Sequence, residues 1–140
     1  MKSFATRIDI RAPAERVWKI LIDLPGWGQW NSTVERTVGH IAPGSKVTVF
    51  VRQSPGRAFP LRVTELDAPR RMVWQGGMPL GLFKGTRVYE IDSLSESASV
   101  FSMREDYTGA LAGLIGKSIP DLQPAFDEFA RCLKFAAEQE

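Results

Sequence analysis

One histidine, His40, and one cysteine, Cys132, are all that this chain of 140 residues offers of the two side chains most used to bind zinc. A metal site with several such ligands and an intrachain disulfide are therefore excluded by count. Neither sign of charge dominates. Eighteen Lys and Arg against 16 Asp and Glu leave +2, spread along the chain, so there is no basic block of the kind that nucleic acid demands. Long hydrophobic runs are missing too. Charges at Lys2, Arg7 and Asp9 interrupt the opening stretch too early for a secretory signal, and nothing approaches the roughly 20 apolar residues of a membrane span. The turns at Ser54-Pro55-Gly56 and Gly76-Gly77-Met78-Pro79-Leu80-Gly81 lack the glycine-lysine pattern of a phosphate loop. These absences lead to the expectation of a cytoplasmic chain with no cofactor, no metal, no nucleic-acid partner and no membrane span.

What the chain does have is apolar and aromatic: 44% hydrophobic residues, with four Trp and eight Phe, enough for one core in a single domain over residues 1–140. Residues 4–11 alternate, with Phe4, Thr6, Ile8 and Ile10 on one face, as in a half-buried strand. Pro13 and Glu15 suit the first turn of a helix whose apolar stripe is Val17, Ile20, Leu21 and Leu24 and which Pro25-Gly26 stops. Residues 26–32 carry two tryptophans in a piece too short for an independent helix, and read as one turn. Strands are expected at residues 34–41, 46–53, 59–66, 71–76, 83–92 and 99–108, separated by turn residues short enough to make neighbours antiparallel. Residues 109–117 read as an apolar loop with three glycines. Leu122, Phe126, Phe129 and Leu133 then recur at steps of three and four, the mark of a long amphipathic helix that Asp121 can cap, with Pro124 in its first turn. The fold class is α+β, and a single helix against so long and curved a sheet leaves room for an internal hydrophobic cavity.

The opening strand followed by Ala12-Pro13-Ala14-Glu15-Arg16-Val17-Trp18, and then by Trp27-Gly28-Gln29-Trp30-Asn31, sets a pattern. The strings Leu82-Phe83-Lys84-Gly85-Thr86-Arg87-Val88-Tyr89-Glu90-Ile91 and Arg104-Glu105-Asp106-Tyr107-Thr108-Gly109 continue it up to the terminal helix. In this order they resemble the START-like, or SRPBCC, superfamily of lipid-transport proteins, polyketide cyclase/dehydrases and related ligand carriers, over essentially the whole chain. The resemblance implies a helix-grip fold. In it, a curved seven-stranded antiparallel sheet wraps around the long C-terminal helix, two short helices follow the first strand, and a hydrophobic pocket lies inside. It does not imply one chemistry, because the fold hosts carriers and enzymes alike.

Parity along the last two strands singles out the candidate site. Phe83, Gly85, Arg87, Tyr89 and Ile91 share one face, as do Phe101, Met103, Glu105 and Tyr107. Setting Asp92 opposite Val100 brings Ile91 opposite Phe101, Tyr89 opposite Met103 and Arg87 opposite Glu105. Two opposite charges would then meet on an apolar face, either as the polar anchor of a ligand pocket or as a structural ion pair. Trp27, Trp30, Met72, Trp74, Phe126 and Phe129 complete the expected pocket lining, although Trp30 fits better the role of locking its loop to the core, and Asn31 that of capping a turn. His40 has no partner in the sequence for catalysis, and Cys132 reads as a buried, inert thiol. The loop at residues 109–116 reads as a mobile gate, a packed connection or a homodimer contact.

Three functions are compatible with this pattern. The first is a binding module for a small hydrophobic or aromatic molecule, lipid- or polyketide-like. The second is a cyclase/dehydratase-type enzyme with Glu105, Tyr89 or Arg87 as its catalytic groups, and the third is an interaction protein acting through its surface.

Overall fold

The computed structural model describes residues 2–139. Alternating side chains build β1 (Ser3–Ile10), and α1 (Ala14–Ile22) follows at once, with Pro13 in extended conformation at its start and Ala14, Val17, Trp18 and Leu21 buried along one stripe. A single 3-10 turn at Leu24–Gly26 leads into the short α2 (Trp27–Trp30). Six strands come next: β2 (Val34–Val38), β3 (Lys46–Val51), β4 (Ala58–Asp67), β5 (Arg71–Gly77), β6 (Lys84–Ser95) and β7 (Ala98–Thr108). The one-turn α3 (Ala112–Ile115) and a 3-10 turn at Gly116–Ser118 connect β7 to the long α4 (Gln123–Glu138).

The sheet is antiparallel throughout, in the order β1-β7-β6-β5-β4-β3-β2. Register shifts between Val34 and Arg36, between Val63 and Glu65, and between Ser93 and Ser95 add local twist, and the sheet curls around α4. That helix is tied to β1 by side chains as well as by packing. Thr6 Oγ1 donates to Asp127 Oδ1 at 2.9 Å, Gln123 Nε2 to the Ala5 carbonyl at 2.8 Å, and Lys134 Nζ to the Asp9 carbonyl at 3.0 Å. Its inner stripe of Phe126, Phe129, Ala130, Leu133 and Ala137 is buried against the sheet. Each of the larger side chains there contributes about 1.5–3 kcal/mol by leaving water.

The fold is the helix-grip architecture expected from the sequence, with local differences that have physical causes. β2 stops at Val38 and not at residue 41, because Gly39 turns the chain with φ +103°, where a Cβ would lie 3.0 Å from the Lys46 carbonyl oxygen. β6 begins one residue later than expected and runs on to Ser95. The apolar segment after β7 is a pair of tight helical turns instead of an open loop. At the start of α4, Asp121 Oδ1 accepts the Gln123 N–H at 3.1 Å, and Pro124 occupies the first turn, where its missing donor leaves no bond unmade. No helix among the described residues is long and apolar enough to cross a membrane.

Candidate functional site

Strand registry assembles the inner face row by row. Trp74 on β5 pairs with Arg87 on β6, Arg87 with Glu105 on β7, and Glu105 with Phe4 on β1. One step along, Met72 pairs with Tyr89, Tyr89 with Met103, and Met103 with Thr6. The Arg87–Glu105, Tyr89–Met103 and Ile91–Phe101 pairs are those expected from setting Asp92 opposite Val100.

Most of this face is ring against ring. Trp27 stacks on Trp74 with centroids 5.5 Å apart, Phe129 stands edge-on to Trp27 at 5.3 Å and to Trp30 at 5.5 Å, and Phe129 stacks on Phe101 at 5.9 Å. Tyr89 meets Trp74 at 5.2 Å. Of the thirteen residues expected to line a pocket, eight (Trp27, Met72, Trp74, Tyr89, Phe101, Met103, Phe126 and Phe129) are at most 2% exposed. Their side chains are packed core. The sequence puts Trp27 among the residues that line the pocket. Instead it sits inside the core, its Nε1–H donating to the Leu21 carbonyl at 2.9 Å. Trp30, Phe83, Arg87, Glu105 and Tyr107 keep partial exposure.

The polar corner lies beside this stack. Arg87 Nε donates to Glu105 Oε1 at 2.8 Å, the Tyr107 hydroxyl donates to Glu105 Oε2, and the guanidinium carbon lies 4.7 Å from the centre of the Phe126 ring. The side chains of Arg87 and Glu105 are 25% and 13% exposed, so the pair is partly shielded from water. Burial works against the Arg87 charge, but Glu105 and Tyr89 together outweigh it and hold the guanidinium firmly protonated. Burial pushes the Tyr89 phenol up to about 12, an effect that Arg87 offsets in part. Burial, reinforced by the Glu105 carboxylate, likewise raises Tyr107 above the ordinary tyrosine range. Both phenols therefore act as proton-bearing donors at neutral pH.

Two of the donors facing this interior have nothing to bind. The Trp74 Nε1–H is buried without a hydrogen-bond partner, as is Asn31 Nδ2 at the end of α2, and the Tyr89 hydroxyl has no acceptor, although the Arg87 guanidinium lies close to its oxygen. Asn31 does hold its turn as expected, its Oδ1 accepting from the Thr33 N–H at 3.0 Å and from Thr33 Oγ1 at 2.6 Å. An orphaned buried donor costs roughly 1–3 kcal/mol, so their presence near one charged pair is informative.

Other candidates fall elsewhere. His40 is exposed beyond β2, and only its backbone oxygen is engaged, by Ser45 Oγ at 2.9 Å. Cys132 is half-buried and not sealed, with its Sγ 3.3 Å from Ser32 Oγ. It borders a groove of about 590 Å³ between α1, α2 and α4, lined by Ile20, Trp30 and Phe135, which the sequence reading missed because Phe135 lies off the buried stripe of α4. A second concavity, of about 390 Å³, lies on the outer face of the sheet around Arg7, Val88, Glu90 and Arg104. Among the described residues no three His, Cys, Asp or Glu side chains gather as a metal site.

Comparison with solved structures places this architecture among START-like proteins. A START superfamily protein from Mycobacterium smegmatis superposes with a TM-score of 0.72 at 17% identity, covering 98% of this chain and 97% of that one. The Zhui aromatase/cyclase from Streptomyces sp. R1128 gives a TM-score of 0.75 at 17% identity, over 98% and 93%. Norcoclaurine synthase from Thalictrum flavum gives 0.69 at 14% identity, over 97% and 93%. At such identities the likeness is one of fold. Comparison with curated proteins finds no match. Residues 1–138 match the family model described as polyketide cyclase/dehydrase and lipid transport, and the chain belongs to that family.

Proposed function

We propose that the protein binds a small, mainly hydrophobic and aromatic molecule that carries a hydrogen-bond acceptor such as a carbonyl, in the interior between β5, β6, β7 and α4. The observation that carries this reading is the orphaned pair of donors, Trp74 Nε1–H and the Tyr89 hydroxyl, beside the Arg87–Glu105 pair. A ligand oxygen would relieve what burial leaves unpaired, and the aromatic rings around it would supply affinity through apolar contact. Because the interior is closed, the ligand has to displace side chains from one another on entry, so binding is coupled to a loosening of α4 against the sheet.

The test uses a hydroxylated anthraquinone as probe and follows quenching of tryptophan fluorescence. Saturable binding that weakens about tenfold in Tyr89→Phe, with unchanged stability, supports the reading. Absence of saturable binding by this probe and by any molecule retained through native mass spectrometry overturns it. A second reading is favoured by one feature, the Tyr107 phenol donating to a carboxylate that also holds Arg87. Such a group can protonate an enolate oxygen or orient an enol in a cyclase/dehydratase-type reaction. Loss of water from a poly-β-ketone surrogate, abolished in Tyr107→Phe, would distinguish enzyme from carrier.

A further inference from the structure

Antiparallel order gathers three connections at one end of the sheet: residues 52–57 between β3 and β4, residues 78–83 between β5 and β6, and residues 109–122 between β7 and α4. The last two are joined directly, the Leu111 N–H donating to the Leu82 carbonyl at 2.8 Å. Gly109 fits against this loop with φ +110°, and a Cβ there would come within 2.5 Å of the Gly81 carbonyl oxygen. The tips of the joined loops are apolar and uncovered. Leu80 is 96% exposed, Leu114 71%, Met78 43% and Leu82 38%. Leu80 also takes a left-handed backbone conformation, φ 62°, which a branched side chain rarely adopts. Burial in the core explains none of these four positions.

The charges around them are mostly positive. Lys84 follows the first loop and Lys117 lies in the second, both exposed, and exposed Arg52 and Arg57 occupy the neighbouring turn. Asp121 is the one acidic residue in the three connections. The opposite end of the sheet is different: there the exposed Leu94 stands near Asp92 and Glu96, and Arg11 and Arg70 face Glu138 and Asp67. Protruding leucines backed by a ring of cations match a surface that is apolar beneath and anionic on top.

We infer that the protein docks reversibly on an anionic lipid surface through the loops at residues 78–83 and 109–117, inserting Leu80 and Leu114 while Lys84 and Lys117 meet the headgroups. The docking end lies over the polar corner. Phe83, at the base of the first loop, stacks on Tyr107 at 5.6 Å, and Tyr107 donates to Glu105. Docking is nevertheless independent of what the interior binds, and its test needs no ligand.

The experiment is co-sedimentation of the full chain with vesicles of phosphatidylcholine alone and of phosphatidylcholine mixed with phosphatidylglycerol. Binding to the mixed vesicles that falls about tenfold with added salt, with Leu80→Ser plus Leu114→Ser, or with Lys84→Glu plus Lys117→Glu, is expected, whereas Leu94→Ser at the far end leaves it unchanged. All the substituted side chains are exposed, and circular dichroism verifies that the variants fold. No binding to mixed vesicles, or binding indifferent to both pairs of substitutions, overturns the inference. So does a homodimer in sedimentation equilibrium that the leucine substitutions dissociate, since the patch would then be covered by a second copy.

Discussion

Phe126 and Phe129 are one turn apart on α4 and meet two unlike parts of the same interior. Phe129 is enclosed by Trp27, Trp30, Tyr89 and Phe101, rings that satisfy one another by area and shape. Phe126 lies under the Arg87 guanidinium, next to a carboxylate and a phenol. In the first region stability scales with what is buried, and any loss leaves a hole. In the second it depends on pairing, so removing one partner costs more than removing both. The stack is where the fold is held. The corner, held by a few paired groups, is expected to tolerate alteration better than the stack.

Substitutions can break or sharpen this contrast. Phe129→Ala is expected to cost the most, about 3–5 kcal/mol in denaturant unfolding, as for other large-to-small core changes. Glu105→Gln comes next, at roughly 1–3 kcal/mol, below the full cost of a buried unpaired charge because Arg87 retains contact with water. Adding Arg87→Met to Glu105→Leu should recover most of that loss while abolishing probe binding. A double variant as unstable as Phe129→Ala would place the corner with the stack. Tyr107→Phe, which loses a hydrogen bond to a carboxylate, is expected to cost about 1–2 kcal/mol.

Tyr89→Phe should be the mildest of these four single substitutions, within about 0.5 kcal/mol of the parent or slightly more stable, since the hydroxyl it removes is buried without an acceptor. The same residue gives the contrast a pH signature. Its folded pKa, about 12, lies above the ordinary 10.0 because burial disfavours the phenolate, so the full stability of the fold is present below about pH 10 and falls as pH rises from there through the folded value. An alkaline unfolding series should show a shallower decline in Tyr89→Phe than in the parent, and an unchanged slope would show that the phenol is not held in its neutral form.

The contrast also marks what could be read from sequence. The rows through Arg87–Glu105 and Tyr89–Met103 were legible, because side chains alternate with period two and a short hairpin between residues 92 and 100 pins the register. The long terminal helix was legible from the spacing of Leu122, Phe126, Phe129 and Leu133. Parity tells which way a side chain points, however, and not how closely the helix descends on it. That is why Met72, Trp74, Phe101 and Met103 could be assigned to the inner face but not distinguished as core or pocket wall. The burial of Trp27 was out of reach for another reason: its place is set by Trp74, a residue far along the chain that it stacks on. The Leu80 loop was visible only as glycine and proline, whose turn-forming role hid the exposed leucine between them.

The neighbour of β1 is β7, with Ser3 opposite Asp106, and Thr6 reaches Asp127 on α4. On the ribosome this arrangement imposes an order. The hairpins from β2 to β7 can pair as they emerge, while β1, made first, has to wait with its apolar face uncovered until nearly the whole chain has been synthesised. Completion of the sheet is thus a late, long-range event, because the first of the described strands finds its partner only in the last.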